Sequence, residues 1–270
     1  MTRVAIVLFA ILMLMPMYFM ATGSLQDIHG VMLMPPRLIP RGITIANYTW
    51  IWDLGLAQWV VNTMLIVILG TAASVATSLM AGYTFAFYDF PLKRWIWLAL
   101  LAGIMIPAIS LVIPRFVVMR KLHLSGTLWS VVLAGALQPM GLYLARVYFK
   151  SVPPSLLESA RIDGASEWQI LWRVVAPVSK PIVTALSLFA AIVAMGDFLW
   201  QMLQLQRRNV QTLLVGLIRA VQTFGGIGDA GVNPIGRRLA VGMVLLAPLL
   251  LVFFVASRYF TTSLSGAVKG

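Results

Sequence analysis

Six apolar runs, each bounded by proline, glycine or charge, constrain this chain more than any other feature. They fall at about residues 4–21, 59–82, 95–113, 128–149, 181–203 and 239–260. Roughly 20 apolar residues is the length a helix needs to cross the hydrocarbon layer of a bilayer. Within that layer only helices or closed barrels satisfy their own backbone hydrogen bonds. Of 270 residues, 60% are hydrophobic and 10% charged, against about 25% charged in a soluble domain. The predicted fold is therefore all-α and polytopic, with about six transmembrane helices in one domain over residues 1–270. Residues 1–58 form a first span and a loop, residues 59–260 hold the core spans, and no length remains for a soluble domain.

The flanks refine this. Arg3 and the run behind it have the charged start and small-residue end of a signal peptide, and are read as a retained helix. Pro35-Pro36, Pro40 and Gly42 make residues 22–58 an extended loop. Tyr48, Trp50, Trp52 and Trp59 form an aromatic group suited to the membrane–water interface. Gly70, Ser74, Ser78 and Gly82 recur every fourth residue, a ridge of small side chains for close helix contact. Pro107 should kink the third run, and Gln138-Pro139 lies near the middle of the fourth. Residues 114–125, with Arg115, Arg120, Lys121 and His123, read as an amphipathic connection. Residues 204–238 are mixed. They contain a literal G-x-G-x-x-G at residues 226–231, but no strand precedes it and Asn233-Pro234 follows in place of a helix, so the dinucleotide reading fails.

Between the fourth and fifth runs lies a punctuated polar stretch, residues 152–181. Pro153 and Pro154 stop what precedes it. Ser155 and Glu158 have capping-box spacing, and Leu156, Leu157, Ala160 and Ile162 make a small apolar face. Asp163-Gly164 should end that helix, because glycine takes the left-handed position after a helix without a Cβ penalty. Ser166 and Gln169 repeat the box and open a second helix running to Pro177. Two short helices with a glycine corner are predicted.

This stretch resembles the EAA loop of the permease subunits of ABC importers, in the maltose-type carbohydrate branch. The family pattern E-A-A-x-x-x-G is matched by Glu158, Ser159, Ala160 and Gly164, with Asp163-Gly164-Ala165-Ser166 as in sugar importers. Ser159 replaces an alanine, and Val175-Ala176-Pro177 stands where hydrophobic-Leu-Pro is usual. Asn47-Tyr48, Tyr83, Phe90-Pro91 and the ending at residues 266–270 extend the likeness over the whole chain. The resemblance implies a multi-pass protein of the bacterial inner membrane that forms half of a translocation pathway. It also implies a second permease subunit, an ABC ATPase dimer, an extracytoplasmic solute-binding protein and a carbohydrate substrate. Glu158, Ser159, Ala160, Asp163, Gly164 and Ala165 would form the cytoplasmic coupling loop. The orientation comes from the resemblance too, because the 20 Lys and Arg residues divide equally between the two sides and the positive-inside rule is silent.

Chemistry is sparse elsewhere. No phosphate-binding G-x-x-x-x-G-K-[ST] loop occurs, so ATP and magnesium would be bound by the partner ATPase and this chain would hold no cofactor. His29 and His123 are too few for a common metal cage, and no nucleophile motif supports an enzyme. Cysteine is absent, which excludes disulfides. The net charge of +12 is scattered over loops, favouring a lipid surface over nucleic acid. The acid inside a span is Asp197, whose burial costs about 2.5–3.5 kcal/mol on insertion scales. With Trp200 and Gln201 it suggests a sugar-handling surface; a structural acid paired with an arginine is the competing reading. An ion-coupled secondary transporter working without an ATPase is the alternative function, although that class should show several intramembrane acids.

Overall fold

The computed structural model describes residues 2–27, 39, 42–224 and 233–267. The readings of His29, Pro35-Pro36, Pro40, the glycine run at 226–231 and the last three residues lie outside these. The described residues are helical and contain no strand. The chain divides into two compact units, residues 1–61 with 212–254 and residues 62–211 with 255–270.

In the first unit, α1 (Thr2–Ser24) is apolar from Val4 to Ala21 and its side chains are exposed along most of that length. Its final turns pack closely: a Cβ on Gly23 would stand 2.4 Å from Leu239. α2 (Ala46–Asp53), the start of α3 (Leu56–Phe87), α12 (Leu213–Phe224) and the early part of α13 (Pro234–Ala267) enclose a core of Ile51, Trp59, Leu213, Leu217, Ala240 and Val241. Trp59 lies flat against Gly216, where a Cβ would meet the indole at 2.3 Å. Buried Asn47 donates to the carbonyls of Ser24 and Gln26 at 2.9 and 3.1 Å, and Asn233 donates to Gln26 at 2.9 Å. Asn233 also accepts from the Gly236 amide at 2.8 Å, so Asn233-Pro234 opens a helix, contrary to the expectation. Asparagine caps the end while proline, with no N–H to orphan, takes the first helical position.

The second unit is built around α3 and α7 (Pro139–Phe149). The ridge on α3 makes this contact: a Cβ on Gly82 would stand 2.5 Å from the Ala145 Cβ, and one on Gly141 2.6 Å from the Ser78 hydroxyl. Around them lie α4 (Lys93–Met105), α5 (Val112–Lys121), α6 (Trp129–Ala134), α8 (Pro154–Ile162), α9 (Glu167–Val178), α10 (Lys180–Gly196) and α11 (Phe198–Gln204). One core gathers Leu79, Ala145, Phe149, Leu157, Val175 and Leu186, and a second gathers Ile66, Met119, Val131, Val132 and Trp200.

Several expected spans are broken. Two helices among the described residues, residues 4–24 and 56–87, are long and apolar enough to cross a membrane, or up to four if each bent pair counts as one span. The third run bends by 108° between Met105 and Ala108. Proline drives the preceding residue out of helical space, and Ile106 accordingly has ψ 123°. The fourth run is split in the same way, with Gln138 extended ahead of Pro139. The fifth stops at Gly196, resumes at Phe198, and has Asp197 as the joint. α9 passes through Pro177 and ends at Val178, where the chain turns 90° into α10. Residues Ile170–Val175 of α9 are wound as a π-helix, in which hydrogen bonds run one residue further than in an α-helix.

Candidate functional site

The loop between α7 and α10 is a corner made by backbone chemistry. Pro153 is extended and sits at the N-cap of α8, with Pro154 in the first helical turn. Ser155 therefore lies inside the helix, and the expected Ser155–Glu158 box does not form. The Ser155 carbonyl instead accepts the Ser159 hydroxyl at 2.8 Å. Leu157 is buried, but Ile162 is 86% exposed and leaves the expected apolar face, because five residues is nearly one and a half helical turns.

At the far end the sequence reading holds. Gly164 has φ +78°; its amide donates to the Arg161 carbonyl and that of Ala165 to the Ala160 carbonyl, both at 3.0 Å. These two bonds are the Schellman pattern that satisfies the last carbonyls of a helix. Nothing lies within 4 Å of a Cβ on Gly164, so the position is set by backbone strain alone. Ser166 then caps α9 with both bonds of the capping box present.

One contact on this corner was not foreseen. The Arg161 Nε donates to Glu167 Oε1 at 2.9 Å, and the Tyr83 hydroxyl donates to Oε2 at 2.6 Å. Burial pushes the Glu167 carboxyl up, but hydrogen bonds from Arg161 and Tyr83, with the Tyr88 hydroxyl close by, outweigh it and hold it at about 2. The buried Tyr88 hydroxyl stands beside them without a bond of full geometry. Opposite charges on either side of an Asp-Gly corner were the available signal; the register that joins them depends on the Schellman turn. The pair ties α8 to α9, and Tyr83 ties both to the end of α3. Glu158, Ser159 and Asp163 remain exposed, Ala160 and Ala165 half-buried. Glu158 makes no ion pair or hydrogen bond among the described residues. Beside it, Ile162 and Trp168 are 86% and 62% exposed.

The second candidate group is internal. Asp197 joins α10 to α11 and faces Arg115 at 3.8 Å. The Arg115 guanidinium also lies 4.5 Å over the Trp200 ring. Trp200 is fully buried and its indole N–H donates to the Ser130 carbonyl at 3.2 Å. Gln201 is buried and donates to the Ala194 carbonyl at 2.7 Å. In this conformation neither Trp200 nor Gln201 presents a free face to a solute. Asp197 borders a cavity of about 30 Å³ with Gly70, Gly135 and Gln138, room for water and too little for a sugar ring. No group of residues able to hold a metal ion occurs among the described residues.

Comparisons with known proteins place this architecture. The family described as "Binding-protein-dependent transport system inner membrane component" matches residues 74–266. The chain is 27% identical to the arabinooligosaccharides transport system permease protein AraQ of Bacillus subtilis, covering 99% of this chain and 96% of that protein. It is 30% identical to AraQ of Halalkalibacterium halodurans, over 86% of this chain and 81% of that protein. The galactooligosaccharides transport system permease protein GanQ of Bacillus subtilis is 29% identical, covering 97% and 92%. Among solved structures, a bacterial ABC transporter involved in the import of alginate shares the fold with a TM-score of 0.84, at 24% identity, covering 96% of this chain and 95% of that one. The MetNI methionine ABC transporter follows at a TM-score of 0.56, 17% identity, and 81% and 99% coverage. A secondary transporter working without an ATPase finds no support in these relatives. With a match spanning most of its length, the chain belongs to the family of inner-membrane components of binding-protein-dependent transport systems.

Proposed function

We propose that this permease subunit forms half of the translocation pathway of an ATP-driven carbohydrate importer in the bacterial inner membrane, as one multi-pass domain over residues 1–270. The partners are a second permease, a pair of ABC ATPases that bind ATP and magnesium, and an extracytoplasmic solute-binding protein. The carbohydrate assignment is drawn from relatives named for arabinooligosaccharides and galactooligosaccharides. Broken helices span the membrane here as bent pairs, which polytopic proteins tolerate where the break is buried in protein or lines a cavity.

The observation that carries the reading is the exposed corner at Glu158–Ala165, braced from within by Arg161, Glu167 and Tyr83. Its carboxylates and exposed Ile162 and Trp168 suit a protein groove on the cytoplasmic side. ATPase closure pushes the corner, α9 carries the push to α10, and access switches from outside to inside. This is a two-state equilibrium biased by the nucleotide's differential affinity. Asp197 is proposed as the pathway residue, with Trp200 and Gln201 packed behind it as its support.

The test is recovery of the ATPase with each variant, normalised to membrane-inserted permease. Glu158→Lys reverses an exposed charge without touching a cap and should abolish recovery and uptake. Glu158→Gln should be milder. Full recovery and uptake with Glu158→Lys would refute the coupling loop.

A further inference from the structure

A groove opens between the turn that follows α3, the start of α4 and Arg146 of α7, with a volume of about 590 Å³, within the ~300–1,000 Å³ of ligand sites. Lys93, Arg94 and Arg146 line it, with Trp95 and Trp97 between them and Asp89 at its rim. Lys93 pairs with Asp89 at 3.0 Å. Three cations against one carboxylate leave the groove positive.

The cations are held in different ways. The Arg146 guanidinium is fixed 3.8 Å over the Trp97 ring, and its Nε donates to the Phe85 carbonyl at 3.2 Å. Trp97 in turn stacks on Tyr143 at 6.0 Å. This leaves the terminal nitrogens of Arg146, the donors suited to a phosphate, without a partner among the described residues. Arg94 is exposed and makes no bond or ion pair among the described residues. Leu92 and Trp95 stand beside these charges at 67% and 68% exposure. Leu92 holds its place with φ +62°, a conformation that costs a non-glycine residue energy.

We propose that this groove binds the phosphate of an anionic membrane phospholipid. The cations take the phosphate, while Leu92 and Trp95 lie along the glycerol and first acyl carbons. The exposed apolar pair selects a lipid over a free anion, because a water-soluble phosphate gains nothing from it. Basic pockets between helices beside an aromatic belt are the established chemistry of headgroup recognition. The proposal rests on the membrane reading above and not on the importer reading.

The experiment measures thermal shifts of the purified permease assembly in neutral detergent on adding phosphatidylglycerol, phosphatidylcholine or soluble glycerol phosphate. At tenfold excess over its Kd, phosphatidylglycerol should raise the melting temperature by about 3–5 °C, and the other two by much less. The double variant Lys93→Gln with Arg94→Gln should lose at least half of that shift, with its melting temperature in phosphatidylcholine reporting an intact fold. Arg120→Gln, an exposed cation elsewhere, should keep it. Equal shifts with phosphatidylcholine, an undiminished shift in the double variant, or an equal loss in Arg120→Gln would each overturn the site. An equal shift with glycerol phosphate would overturn the lipid assignment. Recovery of the chain in the soluble fraction without detergent would instead refute the membrane reading.

Discussion

At the scale of single residues, Glu167 carries a consequence for pH. Its carboxyl is held near 2 against an ordinary 4.5, so the folded form binds protons less readily than the unfolded one. The stabilisation is complete above about pH 4.5 and is lost as the pH falls towards 2. The stability gap between the wild type and Glu167→Gln should therefore shrink on acidification from pH 6 to pH 3. Melting curves that stay equally far apart would argue against the bracing role. Gly164→Ala should cost about 1–2 kcal/mol through φ alone, measurable as earlier thermal loss of ATPase binding; an unchanged melting profile would contradict the strained corner. Asp197→Asn should reduce uptake more than assembly, and loss of the complex with normal uptake per complex would assign the acid to structure. The sequence made the Gly164 corner and the Ser166 cap legible, because each depends on neighbours within a few positions. Ser155 misled because Pro154 claimed the first helical turn. The Asp197 partnership was named only as an unspecified arginine, since Arg115 comes from a distant part of the chain.

Among elements, the α3–α7 contact is the one the sequence announced most clearly. Every fourth residue of α3 from Gly70 to Gly82 is small, and two of those positions meet α7 with no room for a larger side chain. Gly82→Leu or Ser78→Leu should thus destabilise by about 1–3 kcal/mol through overpacking, whereas Leu79→Ile, which conserves volume, should cost less. Equal melting temperatures of all three variants in detergent would refute the close contact. The breaks were less legible. Pro107 was visible as a kink and Pro139 only as a proline within a continuous run, and a proline alone does not tell a kink from a 108° turn. That depends on whether the freed segment finds packing elsewhere. Here it does, with Met119 of α5 in the core around Trp200.

For the whole molecule, the sequence lacks a phosphate-binding loop, and the proposed importer draws its energy from a partner ATPase. The purified subunit, free of ATPase, should hydrolyse no ATP above background in a phosphate-release assay; sustained turnover by this chain alone would end the importer reading. The all-helical class was readable from hydropathy because the bilayer permits so few alternatives. The number of unbroken helices was not, since hydropathy records where apolar residues lie and not where the axis bends.

The turn at Ser179 makes α9 and α10 the two arms of a bell crank. The arms meet at 90°, and the pivot is buried, with Ser179 fully covered. α10 has 17 residues, giving an arm of about 25 Å at 1.5 Å per residue. α9, shortened by its π-wound stretch, is roughly 16 Å long. Under the proposed coupling, a stroke at the loop end of α9 would emerge at the far end of α10 turned through a right angle and enlarged by about half. That far end is Gly196, next to Asp197. In the proposed coupling, a small stroke at the loop is delivered, amplified, to the hinge that carries the half-buried Asp197.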